Sequence, residues 1–208
     1  MAEGFRSFSS KLIPLPAENF DTDQIVPARY LKVTDKEGLA DALFRDYRFN
    51  EDGSKKDPPF IIDRPENAGR RILLVGDNFG NGSSREHAPW ALRSWGIQAI
   101  LSTSFADIFK SNALKNGVLP IVVDPETHKA LFAMADADPD AELRLDLNEQ
   151  GILLPDGSTI DFDIDPFSKM MLLAGTDEVG YVMGKDADIA AWEAAHPARV
   201  DTRFAATG

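Results

Sequence analysis

The feature that most constrains the fold is an alternation of short apolar runs with helical patterns in the middle of the chain. Apolar runs at 72–75, 97–101 and 118–123 are typical of buried strands. Between them, apolar residues recur at helical spacing from about 86 to 95 and from 105 to 114. Because a crossover helix is the usual connection between parallel strands, this pattern predicts a central sheet containing three parallel strands.

The last third of the chain changes to a period of two. Leu143, Leu145 and Leu147 fall on one face of an extended segment, and glycine-containing turns follow. This pattern predicts an antiparallel hairpin or meander. Helical patterns then return at 166–173 and 186–195.

No segment of the sequence is typical of a linker between domains. The loop-rich stretch at 50–65 is too short to separate two domains, and a helical pattern at 126–135 continues directly from the central region. We therefore predict one α/β domain over residues 1–208, with a central parallel sheet, flanking helices and an additional antiparallel layer. The hairpin and helices of residues 140–208 complete this domain.

The charge of the chain bears on its partners. Its 34 acidic and 22 basic residues give a net charge of -12, which repels phosphate backbones and anionic lipid surfaces. We therefore expect neither nucleic acid nor a membrane as a partner. No apolar run suited to a signal-peptide core or a spanning helix follows the first residues, which favours a cytoplasmic protein.

The chain has no cysteine, which excludes disulfides and thiolate-bound metals or iron–sulfur clusters on this polypeptide. Its three histidines, His87, His128 and His196, are far apart and lack the paired spacing of a metal site. We expect no metal or other cofactor on this chain itself.

The segment 76–87 is the strongest candidate for a binding loop. It is rich in glycine, including Gly80 and Gly82, and it links a predicted strand to a helix, where free backbone N–H groups bind anions. A nucleotide-binding lysine is missing before Ser83, and a dinucleotide fingerprint would need Gly or Ala where Arg85 stands. Two hydroxyls beside a guanidinium suit a carboxylate instead, so we predict a small carboxylic acid as ligand.

A purely structural interpretation of the same residues competes with this one. Ser83 and Glu86 have the spacing of a capping box, which would make Ser83 the first residue of a helix cap. Pro89 conflicts with that interpretation, because a helix beginning at Ser83 would lose a hydrogen bond there. His87 taken alone favours a structural role.

Several blocks of the sequence together resemble one family, the small subunits of bacterial 3-isopropylmalate dehydratase, which form the swivelling β/β/α domain of the aconitase superfamily. The resemblance covers most of residues 12–125, in the family's order. It rests on these blocks: the sequence from Asn19 to Pro27, Leu43-Phe44 with Tyr47-Arg48-Phe49, the sequence from Gly80 to Leu92, and Ser104 to Phe109 with Asn112.

The resemblance implies a hydro-lyase of leucine biosynthesis that converts 2-isopropylmalate into 3-isopropylmalate by dehydration and rehydration. It also implies a heterodimer in which a large subunit carries a 4Fe-4S cluster, which agrees with the absence of cysteine here. By motif position, Ser83 resembles the ionised base, Ser84 and Arg85 resemble the residues that hold a substrate carboxylate, and Asp23 resembles an active-site acid. The loop 76–87 corresponds to the catalytic loop.

The loop at about 28–38 resembles the segment that selects the substrate. Tyr30, Leu31 and Val33 could meet the isopropyl group, and no arginine follows Arg29 in this loop to bind a third carboxylate. A homoaconitase-like or methylmalate-type dehydratase subunit is one alternative. The others are a carboxylate-binding module without catalysis and a capped α/β fold whose loop binds nothing.

Overall fold

One mixed sheet organises the chain. The computed structural model describes residues 4–31, 39–82 and 85–196. In these residues a seven-stranded sheet has the strand order β4-β3-β2-β1-β5-β6-β7. Its strands are β1 (Phe8–Leu15), β2 (Ile72–Val75), β3 (Ala99–Ser102), β4 (Leu119–Val122), β5 (Glu142–Asp146), β6 (Gly151–Leu153) and β7 (Thr159–Asp161).

Strand β1 joins the parallel and antiparallel parts of this sheet. Its first half pairs antiparallel with β5, with Phe8 opposite Leu145. Its second half pairs parallel with β2, with Leu15 opposite Val75. Strands β2, β3 and β4 are parallel neighbours, whereas β5, β6 and β7 are antiparallel. The antiparallel part is therefore a continuation of the central sheet.

Helices and short turns connect the strands. The α-helices are α1 (Thr22–Ile25), α2 (Leu39–Ala42), α3 (Arg45–Arg48), α4 (His87–Trp95), α5 (Asp107–Lys115), α6 (Pro125–Ala137), α7 (Pro166–Ala174), α8 (Glu178–Met183) and α9 (Asp186–Ala195). Single 3-10 turns occur at Ala28–Tyr30, Ile61–Asp63 and Pro65–Asn67. Among the described residues, no helix has both the length and the apolar character needed to cross a membrane.

Both faces of the parallel sheet are covered, because alternate residues of a strand point to opposite sides. In β2, Leu73 and Val75 pack in the apolar cluster that contains α4 and α5 residues. Ile72 and Leu74 pack in the cluster that contains α6 and α7 residues. All four are fully buried, which is why this strand is uniformly apolar in sequence.

The predicted α/β class is confirmed, and the predicted apolar runs and helical patterns match elements within a few residues. The prediction of three parallel strands was incomplete, because β1 adds a fourth that the sequence pattern did not indicate. Helix α8 was also not predicted. The assignment of residues 1–208 to a single domain stays a prediction.

Candidate active site

The glycine-rich loop after β2 lies against the segment that follows β1. Because β1 and β2 are parallel neighbours, both segments leave the same edge of the sheet. Three backbone hydrogen bonds of 2.8 Å join them: Asn19 N–H to Asp77 O, Gly80 N–H to Phe20 O, and Thr22 N–H to Asn81 O. The two segments therefore form one surface, although they are far apart in sequence.

The loop after β3 is fixed to the same surface by the Asp77 carboxylate. Asp77 Oδ1 accepts hydrogen bonds from Thr103 Oγ1 at 2.8 Å and from Ser104 Oγ at 2.5 Å. Ser104 Oγ in turn accepts a bond from the Asn78 N–H at 2.9 Å. The Ser104 and Thr103 hydroxyls hold the pKa of the Asp77 carboxyl below its ordinary value, because both stabilise the charged form.

Two glycines make the close approach of these segments possible. Gly80 has φ +79°, and a Cβ placed there would lie 2.2 Å from Cγ of Phe109 on α5. Gly82 has φ +96°, and a Cβ there would lie 2.7 Å from the Asp21 carboxylate oxygens. Left-handed backbone and missing space both require glycine at these positions. The prediction that Gly80 and Gly82 shape the loop backbone is consistent with this geometry.

Helix α1 places Asp23 at the surface. Asp21 caps the helix, since its carboxylate accepts the Asp23 N–H at 2.7 Å while Gln24 Oε1 accepts the Asp21 N–H at 2.8 Å. This is a reciprocal capping box, which fixes the first turn of a very short helix. The Asp23 side chain, in that turn, is half exposed and not needed for the cap.

Arg85 extends to Asp23 and pairs with it. The Arg85 guanidinium donates through one terminal nitrogen to Asp23 Oδ1, across 62 positions of sequence. The Arg85 side chain is 26% exposed and the Asp23 side chain 51% exposed, so both are accessible to a ligand. The structure thus brings together two of the residues to which the sequence assigns a role in the site.

Two of the predicted site residues are the serines between Gly82 and Arg85. Ser83, predicted as the base, and Ser84, predicted to bind a carboxylate, lie outside the described residues, as does Val33.

The capping-box alternative for Ser83 is wrong. Helix α4 begins at His87, and Glu86 is its N-cap without a side-chain hydrogen bond. Pro89 therefore falls in the first turn, where its missing N–H costs no helical bond. The His87 ring packs against Trp90, with ring centroids 4.9 Å apart, as expected for a structural histidine.

The start of the predicted specificity loop is held by an ion pair. Tyr30 ends a 3-10 turn and packs against the same apolar cluster as Phe20, and Leu31 follows it half-buried. The Arg29 guanidinium donates through both terminal nitrogens to the Asp46 carboxylate on α3. Among the described residues no hydrogen bond or ion pair joins Tyr30 or Leu31 to the Asp23–Arg85 pair.

Sequence reasoning gave no role to several residues that build this surface, including Asp21, Asp77 and Asn78. The Asp21–Gln24 spacing is a recognisable capping-box signal. The contacts of Asp77 and Asn78 join separate loops, and single-sequence patterns do not report such contacts.

The side chains of the described residues do not form a metal centre. In residues 4–31, 39–82 and 85–196, no three His, Asp or Glu side chains form a group that could hold a metal ion. The sequence also lacks the cysteines that usually bind an iron–sulfur cluster.

Comparison with known proteins matches the chain to a family. The family model described as the aconitase C-terminal domain matches residues 2–126, and a second, described as LeuD_N, matches residues 129–166. Two curated relatives are 3-isopropylmalate dehydratase small subunits. The one from Roseiflexus sp. (strain RS-1) is 52% identical over 194 residues, 93% of this chain and 95% of the relative. The one from Anaeromyxobacter dehalogenans (strain 2CP-C) is 54% identical over 191 residues, 92% of this chain and 97% of the relative.

A solved structure agrees with the sequence comparison. The crystal structure of 3-isopropylmalate dehydratase from Methanocaldococcus jannaschii matches with a TM-score of 0.64 and 25% identity. The match covers 89% of this chain and 99% of that one, so nearly the whole fold is shared. By its sequence, its relatives and its fold, this chain belongs to the aconitase superfamily, in the family of 3-isopropylmalate dehydratase small subunits.

Proposed function

We propose that the chain is the small subunit of a 3-isopropylmalate dehydratase, a hydro-lyase of leucine biosynthesis. It interconverts 2-isopropylmalate and 3-isopropylmalate by removing and restoring water. The observation that carries this proposal is the Arg85 guanidinium beside the glycine-rich loop, on a side chain that is 26% exposed and paired with the Asp23 carboxylate. A small dicarboxylate is the natural ligand for such a group.

The chemistry needs two kinds of group. A proton next to a carboxylate is weakly acidic and hydroxide is a poor leaving group, so the reaction needs a base and a Lewis acid. We propose that a large subunit supplies the Lewis acid as a 4Fe-4S cluster, since the residues described in this chain do not fit one. The small subunit then supplies the base and part of the carboxylate site, in a heterodimer in the cytoplasm that involves neither nucleic acid nor membrane.

The base proposed for this chain is Ser83, with Ser84 and Arg85 binding a substrate carboxylate. An ionised serine is unfavourable near neutral pH, so it needs adjacent positive charge and free N–H groups. Arg85 and the start of α4 supply both kinds of group directly after the serines in the chain. We propose that Asp23 acts as an active-site acid that hydrogen-bonds a histidine of the large subunit or a substrate water.

Selection of the isopropyl group is proposed for Tyr30, Leu31 and Val33. Arg29, at the start of this loop, forms an ion pair with Asp46. The Asp46 carboxylate raises the pKa of Arg29 above its ordinary value, and the Arg29 guanidinium lowers the pKa of Asp46 below its ordinary value. The sequence has no other arginine between Arg29 and Arg45, which suits an apolar substituent better than a third carboxylate. Apolar contacts of this kind discriminate by about 1–3 kcal/mol per group.

Anaerobic reconstitution tests the proposal. The chain is mixed with a 3-isopropylmalate dehydratase large subunit, and kcat/KM is measured with 2-isopropylmalate, citrate, homoaconitate and citramalate. We expect activity only in the mixture, with the highest kcat/KM for 2-isopropylmalate. Turnover by the isolated chain would contradict the two-subunit mechanism, and a preference for another acid would reassign the substrate.

Two substitutions test the residue roles within that assembly. Ser83→Ala should lower kcat by roughly 10²–10⁴-fold, the usual contribution of a positioned base. Arg85→Lys keeps the charge but loses the fork, so it should raise KM by about 10–100-fold, the loss expected for a charge-assisted hydrogen bond. Arg144→Lys on β5 is the matched control, and it should leave both constants unchanged. Full turnover by the Ser83→Ala enzyme would reject Ser83 as the base.

A further inference from the structure

Two asparagines face each other where the segment after β1 meets the glycine-rich loop. Asn19 has φ +53° and Asn78 has φ +54°, which places both in the left-handed region. The Asn78 side-chain amide donates to Asn19 Oδ1 at 2.9 Å. Glycine adopts this backbone without strain, but it could not make this contact. What asparagine adds at both positions is therefore the side-chain hydrogen bond.

The pair lies where it can set the position of the proposed site. Asn19 precedes Asp23 by four residues and Asn78 precedes Arg85 by seven. The Asn19 N–H also donates to Asp77 O, and the Gly80 N–H donates to Phe20 O, so backbone and side-chain bonds join the segments at the same place. A shift between the two segments would move Asp23 relative to Arg85.

We propose that Asn19 and Asn78 are positioning residues, whose side-chain hydrogen bond fixes the approach of the Asp23 segment to the Arg85 loop. This inference rests on the proposed function. Asn19 is exposed, and a neutral hydrogen bond near solvent adds only modestly to stability. Catalysis is more sensitive, because a misplacement of about 1 Å in a site can cost about 100-fold in rate.

Exchange of amide for carboxylate tests the pair with little change of shape. Asn19→Asp keeps an acceptor for the Asn78 amide. Asn78→Asp keeps the bond if the Asn19 amide rotates to donate. The double variant replaces the present 2.9 Å bond by two carboxylates, which repel each other and have no donor between them while both are ionised. Asparagine and aspartate both tolerate left-handed backbone, so backbone strain is matched across the set.

In the reconstituted enzyme, we expect each single variant to keep kcat within about 3-fold and the double variant to lose about 10–100-fold. KM and the unfolding temperature should change much less than kcat. The Asn78→Asp single variant also controls for the charge it adds beside Asp77. If the double variant does not fold, Asn78→Gly removes the donor while keeping the backbone, and it should lower kcat about 10-fold.

The outcomes separate this inference from the proposed function. If the wild-type enzyme is active and the double variant, or Asn78→Gly, has the same kcat, the role of the pair is overturned. The proposed function is then left intact. The same conclusion follows if the losses in the single variants multiply to the loss in the double variant. A wild-type assembly that is inactive on every hydroxy acid tested would overturn the proposed function and this role together.

Discussion

Replacing Gly80 by alanine should destabilise the chain through two separable effects. The first is backbone strain at φ +79°, which costs a non-glycine residue about 1–2 kcal/mol. The second is steric, because the new Cβ would lie 2.2, 2.6 and 2.7 Å from Cγ, Cδ2 and Cβ of Phe109. Since Phe109 is 3% exposed and its Cβ is held by α5, it cannot rotate away.

Overpacking of this kind costs typically about 1–3 kcal/mol, so Gly80→Ala should lose about 2–5 kcal/mol in all. Gly69→Ala is a matched control, because Gly69 has φ +76° and a Cβ there meets nothing within 4 Å. It should lose only the strain term of about 1–2 kcal/mol. The difference between the two variants isolates the steric term.

Urea unfolding followed by circular dichroism measures both losses, with the slope m checked for constancy. A third protein, Gly80→Ala with Phe109→Ala, should show non-additive losses, because the second change removes Cγ and Cδ2, two of the three atoms that the new methyl meets. Equal losses for Gly80→Ala and Gly69→Ala would refute the argument that Phe109 closes the space beside the loop.

Two further predictions concern charged groups. In Asp77→Asn, the hydroxyls of Thr103 and Ser104 lose their charged acceptor. The pKa of Asp77 is lowered in the folded protein, so its carboxylate stabilises the fold only while it is ionised. The difference in unfolding temperature between wild type and variant should therefore be constant above about pH 5 and shrink as the pH falls through 3.8 and below. A difference that grows on acidification would contradict the lowered pKa. Arg48→Leu leaves the buried Asp63 carboxylate with only Lys55 Nζ, at 3.7 Å, among the described residues, and it removes the donor to the Ala40 and Leu43 carbonyls. It should cost about 3–5 kcal/mol in urea unfolding, since the Arg48 and Asp63 side chains are under 9% exposed. Arg29→Leu is the control, because both side chains of the Arg29–Asp46 ion pair are 56% exposed, and it should cost about 0–1 kcal/mol. Similar losses of stability in Arg48→Leu and Arg29→Leu would count against burial as the cause.

The fold was predictable where local pattern and tertiary environment agree. Strand β2 is apolar at every position because helices cover both faces, and that uniform pattern is visible in sequence. Strand β1 was missed because its sequence contains two serines, a lysine and Pro14, which is paired with Leu74 inside the sheet. Proline is unusual in a central strand, so here tertiary pairing decides the structure against local preference.

The site was predictable only in part, and for a similar reason. The loop that carries Arg85 has a recognisable local pattern of glycines and hydroxyls at a strand end. Its contact with Asp23 depends on the parallel pairing of β1 with β2, and β1 itself could not be assigned. The left-handed asparagines gave no signal alone, because asparagine is also common in ordinary turns.

The divided pairing of β1 also has a consequence for the order in which the protein can mature on the ribosome. Phe8 precedes its partner, Leu145, by 137 residues. At roughly 5–20 residues per second, this half of the strand stays exposed for roughly 7–30 s before its partner is made. A nascent chain stalled after β4 would display an open strand edge, the kind of surface that chaperones cover and that otherwise recruits another chain.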